Sequence, residues 1–502
     1  MDQKKIITIL PNFQEQEFNQ LELAISVRYN LIKTLIITMR PRNETARDQL
    51  ASLLRRNPGA KAANLALAAN VSLPTMHRIL KELDQDVVRI GNAGRTRYYL
   101  RRTLKGLKAD IPVYAVDAAG KVSQTGAIKL LEPQGAWLDV AAMGWPVDAE
   151  FASGVWAHGL PYPLQDMRPQ GFLGRLFAQA QAKALGVSTN PKEWSDNDVL
   201  HVLLQKGADT SGNLIIGDTA LQSWLDAKAQ PAQTLSPQAV ARAYVRMATT
   251  IAEAGAAGSS AGGEFPKFTA LRDLPASQTL SQTPHVIVKF SASDASSTVQ
   301  RWSDLLVCEH LALQAMRAIP GVQSANSRIL QSQGRTFLEV ERFDRHGLHG
   351  RSPLCCLDTI EAAVLAKSST DWGSAGDLLL AQGWIGPQAP EMLRAIWAFG
   401  KLIGNSDMHK GNLSFVPGPA LQLAPVYDML PMMYAPLPGG ELPAGAFGPG
   451  LPAPKDRDAW LLARPAARSF WQIAANDQRI SRTFRDICAR NGEEVQRLSA
   501  MA

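Results

Sequence analysis

No stretch of this 502-residue chain approaches the ~20 consecutive apolar residues that a membrane-spanning helix needs, so no membrane partner is expected. Its four cysteines, Cys308, Cys355, Cys356 and Cys488, form neither a C-x-x-C pair nor a regular framework. That argues against a zinc site or a disulfide scaffold and reads as the reduced thiols of a cytoplasmic protein. The opening "MDQKKIITIL" has an early lysine pair but no long apolar core followed by a small-residue cleavage site, so no secretory signal is expected. The apolar "LIKTLIITM", residues 31 to 39, is too short to span a membrane, and residues 1–39 read as an N-terminal extension. Neither G-x-G-x-x-G nor a Walker sequence occurs anywhere.

What is present is unevenly distributed. The net charge is +7, yet residues 40–108 hold 15 Lys and Arg against 5 Asp and Glu, so the basicity belongs to one module. Its pattern is a helix with Leu50, Leu53 and Leu54 on one side, then two helices across a short turn. Ser72 is the expected N-cap of the second of these, and Pro74 lies in its first turn. "VVRIGNAGRTRYYLRR" then alternates as two strands around Asn92, Ala93 and Gly94. Helix-turn-helix plus hairpin is the outline of a winged helix, which places its second helix in the major groove and its wing near the phosphates. Ser72, Thr75, His77, Arg78 and Lys81 are the expected groove residues, with Arg95 and Arg97 on the wing. Double-stranded DNA is the expected partner, although winged helices also bind proteins.

The remainder is long enough for two further units. "IPVYAVDAAGKVSQTGAIKLLEPQGAWLDV" alternates as a small antiparallel sheet, and helical segments follow. The run at 254–268, "AGAAGSSAGGEFPKF", suits either a flexible linker or a phosphate loop in which glycine lets backbone N–H groups approach phosphate oxygens. Next, "HVIVKF" places Lys289 near the end of an apolar strand, and "WSDLLVCEHLALQAM" places Glu309 on a helix. A strand lysine paired with a helix glutamate is a requirement of protein kinases. "RTFLEVERFDR" then reads as a strand leading to an adenine-binding hinge around Glu341.

"GNSDMHKGNLSF", residues 404 to 415, gathers an Asp, a His and two Asn within eight residues after a helix-like segment. Such a composition also suits a plain turn. The order Asp407-x-x-x-x-Asn412, however, is that of the kinase catalytic loop, where the Asp accepts the substrate hydroxyl proton and the Asn holds magnesium. Two short strands, 413 to 416 and 421 to 424, should return Asp428 to Asn412 as a second metal ligand. His409 is as readily a structural hydrogen-bonder as a functional group.

With these motifs in order, the chain resembles the HipA family of serine/threonine kinase toxins, most closely the YjjJ branch, in which a winged helix is fused to the kinase. The resemblance rests on "LPYPLQDMRPQGFLGR", "SSAGGEFPKF", "HVIVKF", "ERFDR", "IGNSDMHKGNLSF" and "LAPVYDMLP", and covers roughly residues 45 to 490. It implies an α+β architecture, a winged helix-turn-helix at 40–108 followed by a two-lobed HipA-like kinase. The N-lobe would span 109–345 and the mainly helical C-lobe 346–502. It further implies ATP and Mg2+ as cofactors and transfer to a Ser or Thr of a protein. Asp407 would be the base, Asn412 and Asp428 the metal ligands, and Lys289 the phosphate lysine, with Ser259, Ser260, Gly262, Gly263 and Lys267 in the phosphate loop segment. Ser259 would be the position of inhibitory autophosphorylation. A separate antitoxin is a further possible partner. Two departures stand out: Phe265 where a polar residue is expected, and Asn405-Ser406 where eukaryotic kinases carry His-Arg. The alternatives are a small-molecule phosphotransferase of the same fold and a nucleotide-sensing transcriptional regulator.

Overall fold

The computed structural model describes residues 44–253, 265–273, 283–364 and 368–499. It divides into two compact units, residues 1–100 and 101–502.

In the first unit α1 (Glu44–Arg56) buries Ala46, Leu50 and Leu54, one residue per turn, while Leu53 lies at the edge of that face. Next come α2 (Ala62–Ala68) and α3 (Leu73–Glu82). Ser72 caps α3 as expected, its Oγ accepting the Thr75 N–H at 3.3 Å, and Met76, Ile79 and Leu80 face inward. Strands β1 (Val87–Ile90) and β2 (Arg97–Leu100) pair antiparallel, Val87 opposite Leu100. The connection turns through a 3-10 segment, Ala93–Arg95, with Gly91 at φ 78° and Ala93 at φ 48°. Arg95 therefore lies in the turn itself rather than on a strand.

The second unit starts at Arg101, earlier than residue 108, because Arg101 bridges to Leu131 and the Arg102 N–H donates to the Leu130 carbonyl at 3.0 Å. Its first sheet contains β3 (Ile111–Val116), β4 (Val122–Leu131), β5 (Gly135–Trp137) and β6 (Val155–Trp156). After α4 (Gly171–Leu185) and α5 (Asp196–Lys206), β7 (Leu214–Ile216) completes it in the antiparallel order β6-β5-β4-β3-β7. Helices α6 (Asp218–Ala229) and α7 (Val240–Glu253) follow.

A second antiparallel sheet, in the order β10-β11-β9-β8, is formed by β8 (Lys267–Leu271), β9 (His285–Phe290), β10 (Ser327–Ser332) and β11 (Arg335–Glu341). Between β9 and β10 runs α8 (Ser297–Met316), buried over most of its surface, as a helix at the centre of a large core must be. One face of the sheet packs Phe268, Val286, Val288, Phe290 and Phe337 against Tyr244 and Ala248 of α7.

The ribbon β12 (Arg345–His346) and β13 (Gly350–Arg351) leads to β14 (Cys355–Cys356), α9 (Leu357–Val364), α10 (Trp372–Ala381) and α11 (Ala389–Leu402). Strands β15 (Ser414–Val416) and β16 (Gln422–Leu423) form the expected hairpin and add to β14. The chain ends in α12 (Arg457–Asn476), which packs on α8, and α13 (Arg482–Ser499). No helix among the described residues is long and apolar enough to cross a membrane.

Candidate active site

The catalytic-loop segment leaves α11 through Gly404, whose φ of 73° is the left-handed conformation glycine adopts without cost. A Cβ there would meet the Met433 sulfur at 2.7 Å. Asn405 follows, 3% exposed. Its Oδ1 accepts the Asp407 backbone N–H at 3.0 Å, and its Nδ2 reaches the Met429 sulfur at 3.4 Å. Asp407 is exposed and lines a cavity of about 920 Å³. Asn412 closes the loop, its Nδ2 donating to the Asp407 carbonyl at 2.9 Å, so the amide's oxygen end is left for another partner. His409 spends its Nδ1 accepting the Gly411 N–H at 3.1 Å, a structural use.

The β15–β16 hairpin brings Asp428 back as the sequence implies. Tyr427 anchors the return, its hydroxyl donating to the Gly411 carbonyl at 2.8 Å. Asp428 itself adopts φ 54°, uncommon for a residue with a side chain though more often met at Asp and Asn. Its carboxylate pairs with Lys289 of β9, which also donates to both Glu309 oxygens at 2.7 Å. Lys289 is 5% exposed and Glu309 0%.

Charge explains why this cluster holds. Lys289 and Lys267 sit directly opposite each other on β9 and β8, so both side chains leave the same face of the sheet. Like charges facing across strands repel. Burial acts against the Lys289 charge, but Asp428 and Glu309 outweigh it and hold its pKa above the ordinary lysine range. Burial pushes the Glu309 carboxyl up, with Lys289 pulling against it. At Asp428 burial also acts upward, yet Lys289 and Lys267 prevail and keep the carboxyl below its usual value. Two cations, an ionised carboxylate and a side-chain amide thus line one cavity. One or two carboxylates beside phosphate oxygens are what magnesium takes, and no three-carboxylate or His/Cys cage occurs among the described residues.

The expected residues therefore meet unequally. Asp407, Asn412, Asp428, Lys289 and Lys267 line the same cavity, and Glu309 supports it through Lys289. Glu341 does not line it. At the end of β11 its carboxylate is held by Arg272 at 2.8 Å and Asn326 at 3.0 Å, beside a separate cavity of about 360 Å³. Ser259, Ser260, Gly262 and Gly263 lie outside the described residues. Phe265 packs edge-on to Trp302 with ring centroids 4.7 Å apart, which accounts for an aromatic at that position. In the first unit Ser72, His77, Lys81, Arg95 and Arg97 are exposed and Thr75 and Arg78 half-buried.

Other cavity residues drew no attention individually in the sequence. Asp166, within "LPYPLQDMRPQGFLGR", accepts the Cys356 N–H at 2.6 Å and the Thr359 hydroxyl at 2.8 Å, tying that segment to β14 and α9. Lys410 pairs with Glu361 and donates to Ser368 at 2.6 Å. Trp372 and Trp397 complete the wall. Asn405, buried outside the cavity lining, stands in the sequence two residues before Asp407, whereas Asp166, Lys410, Trp372 and Trp397 are brought to the cavity only by the fold.

Residues 107–225 match the family model of the YjjJ-like toxin middle domain, and residues 259–495 that of the HipA-like C-terminal domain. The chain is 37% identical over 452 residues to Toxin YjjJ of Escherichia coli (strain K12), covering 90% of this chain and 98% of that protein. Among solved structures, a complex of the Shewanella oneidensis MR-1 toxin–antitoxin system HipA, HipB and its operator DNA contains a chain with 16% identity and a TM-score of 0.48. That alignment covers 77% of this chain and 95% of the other. The Helicobacter pylori proinflammatory kinase CtkA aligns at 16% identity and a TM-score of 0.32, over 42% of this chain and 83% of its own.

Proposed function

The chain belongs to the family of YjjJ-like toxins, and on that premise we propose that it is an ATP- and Mg2+-dependent protein serine/threonine kinase of the HipA type carrying a DNA-binding winged helix. The observation that carries this reading is the meeting of Lys289, Asp407, Asn412 and Asp428 around one cavity, although they come from separate parts of the chain.

Lys289 and Lys267 receive the nucleotide phosphates, and Glu309 holds the Lys289 ammonium in place. Asp428 and the Asn412 amide oxygen are the residues that would hold magnesium. When bound, magnesium neutralises charge on the β- and γ-phosphates. Asp407, exposed to the cavity and fixed at its backbone N–H by Asn405, accepts the proton of the acceptor hydroxyl. The acceptor oxygen bonds to the γ-phosphorus as the bond from that phosphorus to the β–γ bridging oxygen breaks, and ADP leaves. Ser259 is the proposed autophosphorylation position, where nearly two negative charges would repel ATP.

The exposed His77, Lys81, Arg95 and Arg97 support contact with duplex DNA by the first unit. Four unpaired cysteines suit action in the reducing cytoplasm. Incubation with γ-labelled ATP and Mg2+ should place label on serine or threonine, and Asp407→Ala should abolish it. Label that persists in the variant, or appears only on an added small molecule, refutes the kinase assignment.

A further inference from the structure

The cavity of about 360 Å³ beside Glu341 shares no lining residue with the one that holds Asp407. Its walls are Arg317 and the loop 322–326 after α8, the segment that follows β11, Thr283 and Pro425. Backbone bonds fix these walls to one another. The Ala325 N–H donates to the Val426 carbonyl at 2.9 Å, the Val426 N–H to the Gln323 carbonyl at 2.8 Å, and the Glu341 N–H to the Asn326 carbonyl at 2.8 Å. The cavity is thus preformed, and its volume falls in the range of roughly 300–1,000 Å³ usual for small-molecule sites.

Its charge is out of balance. Glu341 is matched by Arg272 at 2.8 Å. Arg342 and Arg345 both line the cavity and share two carboxylates, Asp209 and Asp344, at 2.7 to 3.1 Å. Arg351, 5% exposed, stands beside them with no carboxylate of its own among the described residues, so three guanidinium groups meet two anions. Burial and the neighbouring Arg345 push the Arg351 pKa down, to about 9. Arg317 adds an unmatched charge that is open to solvent. Its Nε donates to the Ser324 hydroxyl at 3.0 Å and its Nη2 to Asn326 Oδ1 at 2.8 Å, while Nη1 makes no hydrogen bond among the described residues. A guanidinium held in position with one nitrogen free loses little freedom when it takes an anion. The rest of the wall is apolar, formed by Val322, Phe343 and Pro425.

We propose that this cavity is a second ligand site, for a small organic anion that carries a carboxylate or phosphate on an apolar body. Arg317 Nη1 donates to an oxygen of the anion, the arginine excess at Arg342 and Arg345 attracts its charge, and Val322, Phe343 and Pro425 cover the body. The inference goes beyond the kinase reading and does not depend on it, because no group of the catalytic cavity takes part.

Calorimetric titration of the full chain with four probes tests it without nucleotide: phenyl phosphate, benzoate, benzyl alcohol and inorganic phosphate. Phenyl phosphate or benzoate should bind at least about tenfold tighter than neutral benzyl alcohol. Phenyl phosphate should bind about tenfold tighter than inorganic phosphate, which lacks the apolar body. Whichever of the two ring anions binds tighter identifies the head group as phosphate or carboxylate, and either result supports the site. Arg317→Gln and Arg317→Glu should weaken the better anion by about 10- to 100-fold with unchanged thermal unfolding. Lys267→Ala, in the other cavity, should leave it unaltered. On the unsubstituted chain, modification of Arg317 by phenylglyoxal, read by peptide mass spectrometry, should be blocked by that anion and not by benzyl alcohol. Equal binding of charged and neutral probes, no protection of Arg317, or binding lost in Lys267→Ala and kept in Arg317→Glu overturns the proposal.

Discussion

Lys289 and Asp428, 139 positions apart in sequence, are joined as an ion pair, and the same ammonium grips Glu309. One lysine thereby ties the sheet, the central helix α8 and the loop after the β15–β16 hairpin. Lys289→Met should lower labelling by about 10²–10³-fold. It should also destabilise the chain by about 3–5 kcal/mol, since Glu309 is left buried and unpaired. Adding Glu309→Gln should restore part of the stability, read by urea unfolding, but none of the activity.

Asp407 behaves differently because it is exposed. Asp407→Asn should remove about 10²–10⁴-fold of the rate while shifting unfolding free energy by no more than about 0.5 kcal/mol. Asn412→Ala, which loses the 2.9 Å bond to the Asp407 carbonyl, should also raise the Mg2+ concentration needed for half-maximal labelling.

Asn405 acts through its neighbours. With Oδ1 on the Asp407 N–H, Asn405→Ala should lower kcat about tenfold. The KM for ATP should stay unchanged, because the residue lies outside the cavity lining. A rise in KM with kcat preserved would contradict that positioning role.

His310 sets a pH dependence of stability. Burial and the nearby Arg479 push its pKa down, to about 4, while its ring lies between Ser327 and Gln314. Below about pH 6.5 the unfolded chain takes up the proton first. The His310 contribution is therefore intact above that value and falls as pH drops towards 4. The loss should approach about 1.4 kcal/mol per pH unit, then level off. Denaturant midpoints from pH 7 to 4 should show this slope, and His310→Gln should flatten it.

Arg97, exposed at the start of β2, should contact phosphate rather than base. Arg97→Ala should weaken duplex binding for all sequences alike and reduce the slope of log K against log salt by about 1. An unchanged slope would show that the hairpin makes no phosphate contact.

Much of the site was legible because its parts are local. The Asp407 to Asn412 spacing, the turn that folds 414 to 423 back on itself, and the alternation around Lys289 are properties of a few consecutive residues, and backbone geometry converts them directly into loop, hairpin and strand. Glu341 shows the limit. Its place at the end of a strand before a hinge-like segment was readable, but Arg272, 69 positions earlier, and Asn326, just before β10, determine where its carboxylate goes.

By itself, the sequence determined the element types, the basic first module, the order of the chemical groups and the family resemblance, since these depend on periodicity, turn chemistry and residue identity. Only the tertiary structure decided that Lys267 faces Lys289, that Asn405 steadies Asp407, and that Trp372 and Trp397 line the same cavity as Asp407. Those relationships are set by strand register and helix packing over long chain separations. The energy that selects them belongs to the whole core rather than to any short segment.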